Sequence, residues 1–272
     1  SDIKTTAYLQ ADGSYRIHGE KMFVTNGEHN LTENIIHLVL AKIGADDELN
    51  PHKNHGLSLF IVPKILVNNR SDNGAKNTIH LMRNLKKMGC RNAVSTQLRF
   101  GDGFNSATAN GFNTAAAGSG AEGFLIGKPN RGLYYMFQML NESRIGVGTH
   151  SAVLAYQAYR YSLHYAGKRI QGRLSGNKQL RRPHVSLIKR ADIQHLLLSQ
   201  KCYAEAAMAL CLYAVSLTED VATADTKPER QRAMVLLDVL TPVVKSWSAQ
   251  YGCQANDMAI QILAGYGYLS EN

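Results

Sequence analysis

The segment Lys21-Met22-Phe23-Val24-Thr25-Asn26-Gly27 predicts a β-strand that ends at an Asn-Gly turn. Just before it, Tyr8–Gln10 and Tyr15–His18 flank Ala11-Asp12-Gly13, where Gly accepts the positive φ that a tight hairpin turn requires. Further short apolar or alternating runs are bounded by polar residues, at Ile35–Ala41, Gly56–Pro63 and Val94–Phe100. Several short strands joined by turns predict a small β-barrel or sandwich over residues 1–102.

The pattern becomes helical after Pro129. One helix begins with the apolar face of Leu133, Phe137 and Leu140, and two more helical runs cover residues 183–217 and 228–263. Residues 103–123 between the two halves consist largely of Gly, Ala, Asn, Ser and Thr, a composition that predicts a surface loop. The sequence therefore predicts an α+β chain, with a β domain at residues 1–102, a loop at 103–123 and a helical bundle at 124–272.

Composition narrows the class of protein. The chain has 272 residues, 44% hydrophobic and 19% charged, and a net charge of +9, which is typical of a folded protein. No apolar run reaches the roughly 18–20 residues of a membrane span. Cys90, Cys202, Cys211 and Cys253 lack metal-site spacing, so we expect no metal and a reducing compartment. That compartment would be the bacterial cytoplasm, or the mitochondrial matrix of a eukaryote.

Phe23 and Thr25 are the first candidate site residues. Side chains at i and i+2 of a strand point to the same face, so this pair could cover and hydrogen-bond a flat heterocycle. The plainer interpretation is a buried Phe beside a turn-forming Thr-Asn-Gly.

A basic stretch runs from Lys168 to Arg190, with eight Lys or Arg residues and no acid. It predicts either a solvated connection or an anion site, because Arg forms charge-assisted bonds to phosphate. The absence of interleaved aromatic residues disfavours nucleic acid. Two other stretches could be functional: Asn141–Arg144, whose Glu142 is a possible general base or an ordinary surface carboxylate, and Ala259–Tyr268, which alone indicates a helix end.

Together these segments resemble the flavin-dependent acyl-CoA dehydrogenases over nearly the whole chain. Ser1-Asp2 with Lys4-Thr5 is similar to the family's Gly-Ser-Asp loop, and Tyr15–Gly27 to its Ile-x-Gly-x-Lys…Trp-Ile-Thr-Asn-Gly signature. Gln261–Tyr268 is similar to Gln-x-x-Gly-Gly-x-Gly-Tyr, with Ala264 in place of the first Gly. Further matches are Phe60–Pro63, Lys87–Gly89, Leu125–Gly127, Leu140–Arg144 and Tyr165–Arg169. Details such as Gly27–His29 are most similar to the larger bacterial branch that includes methylmercaptopropionyl-CoA dehydrogenases.

The resemblance implies a middle β-barrel domain and an antiparallel four-helix bundle, incomplete here, that share one FAD. Phe23, Val24 and Thr25 would contact the isoalloxazine, with Thr25 near N5. The residues implied to hold the pyrophosphate and adenosine half, typically of a neighbouring subunit, are Arg169, Gln261, Ala264 and Gly265. Those implied to lie near the acyl-CoA substrate are Ser1, Ser143 and Arg144.

The activity implied is α,β-dehydrogenation of an acyl-CoA thioester to the enoyl-CoA, as in β-oxidation, by an oxidoreductase acting on CH-CH bonds. Electrons would pass to electron-transfer flavoprotein, and the protein would be a homotetramer or dimer. In most members the catalytic base is a Glu in a loop after the Gly-Gly-x-Gly-Tyr motif. A minority place it on the first bundle helix, where this chain has Ser143. We therefore expect a segment of a longer protein, inactive by itself, whose base lies beyond Asn272.

Two other classes of protein are alternatives. One is an alkylation-response-like flavoprotein that binds DNA, which the basic stretch and the similarity of Asn77–Arg91 favour. The other is a non-catalytic helical assembly piece that binds no flavin.

Overall fold

A computed structural model describes residues 3–44, 56–67, 74–102, 120–174 and 183–270. The chain divides between Gln138 and Met139 into two compact units. The first is built on β-strands and the second on long helices, which confirms the predicted α+β class.

The first unit contains a closed barrel. The strands are β1 (Thr6–Leu9), β2 (Tyr15–Thr25), β3 (Ile36–Ile43), β4 (Leu57–Pro63), β5 (Ile79–Leu85), β6 (Ser95–Phe100) and β7 (Ala121–Ile126). Because β1 pairs with both β2 and β3, the order β1-β3-β4-β7-β2 closes on itself as five strands. The second half of β2 pairs with β6, and β6 with β5, so these two strands form a hairpin beside the barrel.

Burial alternates along the first half of β2, along β3 and along most of β6, as the pleat requires. Ile17, Phe60, Val62, Leu98 and Phe100 are fully or almost fully buried. Their packing explains why the apolar runs around them were visible in the sequence.

The strand β7 corrects the predicted domain boundary. The sequence analysis placed Leu125 and Ile126 in the helical domain, whereas they pair with Phe60 and Leu59 of β4. The loop predicted at residues 103–123 therefore ends earlier, and most of it lies outside the described residues. The division between the units falls within the first helix.

The second unit is a bundle of α1 (Gly132–Lys168, which begins in the first unit), α2 (Ala191–Thr223) and α3 (Lys227–Leu263). A capping box at Thr226 and Glu229 starts α3 and satisfies two backbone N–H groups. Small residues let the helices approach closely: Ala155, Ala204 and Ala255 form one buried layer. A Cβ added at Gly148 would lie 2.8 Å from Val244 Cγ1, so α1 and α3 are in near-backbone contact there.

The second helix begins later than predicted. The apolar pattern predicts a start at Pro183, but α2 starts at Ala191. Residues 183–186 are extended and Leu187–Lys189 form a short 3₁₀ helix. This segment pairs with the chain after α1: Val185 N donates to Gly172 O at 3.0 Å and Leu187 N to Arg169 O at 2.9 Å. Long-range pairing of this kind leaves no helical or strand periodicity to detect.

One described helix, α2, is long and apolar enough by length and composition to cross a membrane. A core helix of a bundle has the same composition, and Ala204, Ala207, Cys211 and Ala214 of α2 are buried against the other helices.

Candidate functional site

Phe23 stands on a β-bulge that turns its ring outward. The register between β2 and β6 shifts between Lys21 and Val24, and Phe23 lies within the shift with φ of 62°. A bulky residue in the left-handed region is strained, and bulges re-aim side chains next to functional sites. The ring is 75% exposed, so the interpretation of a buried core Phe is wrong.

The neighbours of Phe23 hold the bulge rigidly. The hydroxyl of Thr96 donates to Val24 O at 3.0 Å, and Asn26 N donates to Val94 O at 2.8 Å. A Cβ at Gly27 would collide with Thr96 Oγ1, so only Gly fits at that position. Thr25 is exposed opposite Ser95, while Val24 is half-buried. The bulge thus presents one aromatic ring and one hydroxyl to solvent on a fixed backbone.

Lys21, just before the bulge, is a half-buried cation on β2. Its Nζ donates to Leu40 O of β3 at 2.7 Å, where β1 is too short to supply a backbone partner. Burial lowers the pKa of this amine from 10.5 to about 8. Nothing in the sequence pattern distinguishes Lys21 from an ordinary strand lysine, apart from its place in the motif.

The pH dependence of stability follows from this shift. Between pH 8 and 10.5 the unfolded state binds more protons at Lys21 than the folded state, so the free energy of unfolding rises with pH through that window. We expect urea unfolding at pH 8 and pH 10 to show this rise in the natural protein and to show less of it in Lys21→Met. The control Lys128→Met, at an exposed lysine of the same unit, should keep the rise. An equal pH dependence in all three proteins would contradict the account.

In the second unit, Arg169 directly follows α1. Its side chain is exposed, and its backbone is fixed on both sides, since Arg169 N donates to Tyr165 O at 2.8 Å and Arg169 O accepts from Leu187 N at 2.9 Å. An isolated bridge between Ile170 and Ser186 continues this pairing. The segment after α1 is therefore an ordered turn that projects a guanidinium, which suits an anion site better than a loose connection.

Among the other cations of the basic stretch, Lys168, Arg173 and Lys189 are exposed. Arg190 Nε lies 3.3 Å from Asp192 Oδ1, and this ion pair weakens the attraction of Arg190 for an anionic ligand. Lys178, Arg181 and Arg182 lie outside the described residues.

The turn that ends α3 is the 3₁₀ segment Ala264–Tyr268. Ala264 has φ of 53° and ψ of −130°, a conformation that Gly adopts readily and an L residue adopts only under strain. Its N–H donates to Gln261 O, and the exposed Gln261 Nε2 donates to Tyr268 Oη at 2.9 Å. Gly265 is exposed, and a Cβ there would meet nothing within 4 Å. A ligand can approach this backbone closely.

The strain at Ala264 is measurable. Ala264→Gly should raise the free energy of unfolding by about 1 kcal/mol, because relief of strain exceeds the entropy cost of Gly. The matched control Ala209→Gly, at an exposed position inside α2, should lower it by about 1 kcal/mol. Chemical denaturation of both variants checks the opposite signs. A loss of stability in both would show that Ala264 is not strained.

The residues expected near the substrate are only partly described. Ser143 is exposed on α1, and the half-buried Arg144 donates from Nη1 to Asn141 Oδ1 at 3.3 Å. Glu142, the only carboxylate beside them on α1, is exposed. Ser1 lies outside the described residues.

Known proteins place these features in a family. The family described as acyl-CoA dehydrogenase, C-terminal domain, matches residues 130–272, more than half of the chain. The chain belongs to the acyl-CoA dehydrogenase family. It is 32% identical, over 100% of its length and 42% of the relative's, to 3-methylmercaptopropionyl-CoA dehydrogenase of Ruegeria pomeroyi. It is also 32% identical, over 98% of its length and 42% of the relative's, to the broad-specificity linear acyl-CoA dehydrogenase FadE5 of Mycobacterium tuberculosis.

Solved acyl-CoA dehydrogenases share the fold. The Bacillus anthracis acyl-CoA dehydrogenase complexed with FAD superposes with a TM-score of 0.69 at 21% identity, over 99% of this chain and 39% of that one. These matches confirm the predicted family and the similarity to the methylmercaptopropionyl-CoA branch. The chain spans about two fifths of the length of these relatives, 42% for each of the two curated enzymes.

Proposed function

We propose that the protein is a FAD-dependent acyl-CoA dehydrogenase, which oxidises an acyl-CoA thioester to the enoyl-CoA and passes the electrons to electron-transfer flavoprotein. The observation that carries the proposal is the strained, 75% exposed Phe23 beside the exposed Thr25. An aromatic face and a hydroxyl on rigid backbone fit a flat, hydrogen-bonding heterocycle such as isoalloxazine. When bound, FAD supplies the hydride acceptor of this chemistry.

Each unit would contact a different part of the cofactor. Phe23 would cover the ring, and Val24 and Thr25 would orient it by hydrogen bonds, with Thr25 near N5. In the second unit, Arg169 would bind the pyrophosphate of the FAD held by a neighbouring subunit. The turn at Gln261, Ala264 and Gly265 would bind the same nucleotide half, since an exposed amide and an open backbone fit phosphate and ribose. This sharing requires a homo-oligomer, and the family's homotetramer satisfies it.

The proposed substrate-binding residues are Ser1, Ser143 and Arg144. Arg144 supplies a positive charge for acyl-CoA, whose phosphates are anionic. A carboxylate must remove the α-proton. Position 143 holds Ser, and Glu142 is about 100° around the helix from it. We therefore propose that the base lies outside this chain and that residues 1–272 alone do not turn over acyl-CoA. The exposed free thiols of Cys90, Cys202 and Cys253 suit the reducing bacterial cytoplasm or mitochondrial matrix.

Loss of the Phe23 ring tests the flavin assignment. In the protein at its full natural length, Phe23→Ala should weaken FAD binding by about tenfold or more, because the buried face of a Phe is worth about 1.5–3 kcal/mol. Fluorescence titration of the apoprotein with FAD measures this change. The control Leu38→Ala removes a 42% exposed apolar side chain from β3 and should leave FAD binding unchanged. Equal affinities for both variants would contradict the role of Phe23.

A further inference from the structure

We propose that the β5–β6 hairpin carries a binding cleft for an organic phosphate, separate from the flavin and nucleotide surfaces described above. A cavity of about 510 Å³ opens at the turn of this hairpin. We call it the hairpin cleft, and its lining residues are Asn84, Leu85, Lys86, Lys87, Arg91 and Val94. All of them belong to the first unit.

The charge of the hairpin cleft is uncompensated. Residues 74–101 contain no Asp or Glu. Within the described part of the chain, neither Lys86 nor Arg91 forms an ion pair. The ion pairs of these strands, Arg99 with Glu20 and His80 with Asp102, lie at the other end of the hairpin, where Arg99 and His80 face each other. The cleft therefore offers positive charge that no carboxylate among the described residues pairs with.

Hydrogen bonds give the cleft a defined shape. Lys87 Nζ donates to Ala93 O at 2.6 Å, a hydrogen bond that links the two sides of the turn. Ala93 N donates to Cys90 O at 3.3 Å, and Val94 O accepts from Asn26 N at 2.8 Å. The turn that carries Lys86 and Arg91 is thus held by hydrogen bonds within itself and by one to Asn26 at the end of β2. A flexible surface loop lacks such bonds.

These groups fit a phosphate ester better than other ligands. Lys and Arg form charge-assisted hydrogen bonds to phosphate, and Arg does so with two N–H groups at once. The volume falls within the range of small-molecule sites, about 300–1,000 Å³. Leu85 and Val94 add apolar wall for an organic part, and Asn84 adds a neutral hydrogen-bonding group.

We expect a ligand in the cleft to influence the flavin surface, because the two are adjacent. Val94 is bonded to Asn26, and Ser95 pairs with Thr25, so the cleft adjoins the strand end that carries the exposed ring and hydroxyl. This influence rests on the proposed function, whereas phosphate binding itself does not.

Equilibrium dialysis with radiolabelled inorganic pyrophosphate tests the proposal, on the protein at full natural length with FAD saturating. The double variant Lys86→Gln/Arg91→Gln should weaken pyrophosphate binding by about tenfold or more, since two charge-assisted contacts are lost. The charge-matched control Lys76→Gln/Arg83→Gln alters two cations of the same segment that do not line the cleft, and it should change binding less than twofold, within about 0.4 kcal/mol.

Two outcomes overturn the proposal. Pyrophosphate binding that both double variants retain, or lose equally, would show non-specific attraction to a basic surface. Binding that survives in Lys86→Gln/Arg91→Gln but disappears in Arg169→Gln would assign it to the second unit. A protein that binds no FAD, yet binds pyrophosphate through Lys86 and Arg91, would support the cleft and contradict the proposed function.

Discussion

Replacing Asn77 by Ala should lower the free energy of unfolding of the β unit by about 4 kcal/mol, because this one side chain replaces backbone pairing at the junction of three strands. Asn77 is 8% exposed and lies just before β5. Its Nδ2 donates to Pro63 O and Glu122 O, both at 2.8 Å. Its Oδ1 accepts from Thr78 N at 2.9 Å and from Glu122 N at 2.8 Å.

The size of the effect comes from the groups left behind. Removing the amide leaves two carbonyls and two N–H groups without their partner, and each such buried group costs about 1–3 kcal/mol unless water replaces the amide. Asn77→Asp keeps the acceptor but sets a buried carboxylate oxygen against the carbonyls of Pro63 and Glu122, so at neutral pH it should be no more stable than Asn77→Ala. The control Asn30→Ala removes an exposed amide and should change stability by about 0.5 kcal/mol or less. A loss below about 1 kcal/mol for Asn77→Ala would refute the role of the amide as a junction.

Gly267→Ala should disrupt the turn that ends α3 and, with it, nucleotide binding. A Cβ at Gly267 would lie 2.5 Å from Ile260 O and 2.8 Å from Ile260 Cα. Both are backbone atoms of α3, so no side-chain rotation relieves the contact, and the turn itself must move. We expect a stability loss of about 2–3 kcal/mol, the range of overpacking.

The matched control lies two residues away. Gly265→Ala adds the same methyl where nothing lies within 4 Å, so its free energy of unfolding should change by about 0.5 kcal/mol or less. Displacement of the turn moves Gln261 and Ala264, which we propose to contact FAD, so Gly267→Ala should also weaken FAD binding by about tenfold. Thermal denaturation and FAD titration measure the two effects. Equal stability of both Gly variants would show that the turn has more room than the structure indicates.

Local patterns predicted the elements whose burial alternates or repeats, and missed those fixed by distant partners. β6 was predicted from alternation, because Ser95, Thr96, Leu98 and Phe100 are buried. β5 was not predicted, because none of its residues is buried and neither of its faces is consistently apolar. β7 follows the Gly-rich segment, and its partners on β2 and β4 are far away in sequence.

The site shows the same division. Motif order was enough to single out Phe23, Thr25, Arg169 and the turn at Ala264. The positive φ of Phe23 and the strain at Ala264 depend on backbone geometry, which residue types do not encode. The substitution of Ala for the family's Gly at position 264 was the one available signal. The junction at Asn77 was missed because its partner Glu122 lies 45 residues away.

Anaerobic addition of acyl-CoA to the purified protein at full natural length tests whether it is a flavin-dependent dehydrogenase. We expect a bound flavin with its usual visible absorbance bands, which bleach on addition of one or more acyl-CoAs from a series that includes methylthio-propionyl-CoA. Bleaching by one substrate would also identify the acyl group. A bound flavin that no acyl-CoA in the series bleaches would contradict the proposed dehydrogenation and favour the DNA-binding flavoprotein, and a protein without flavin would contradict the account of both surfaces.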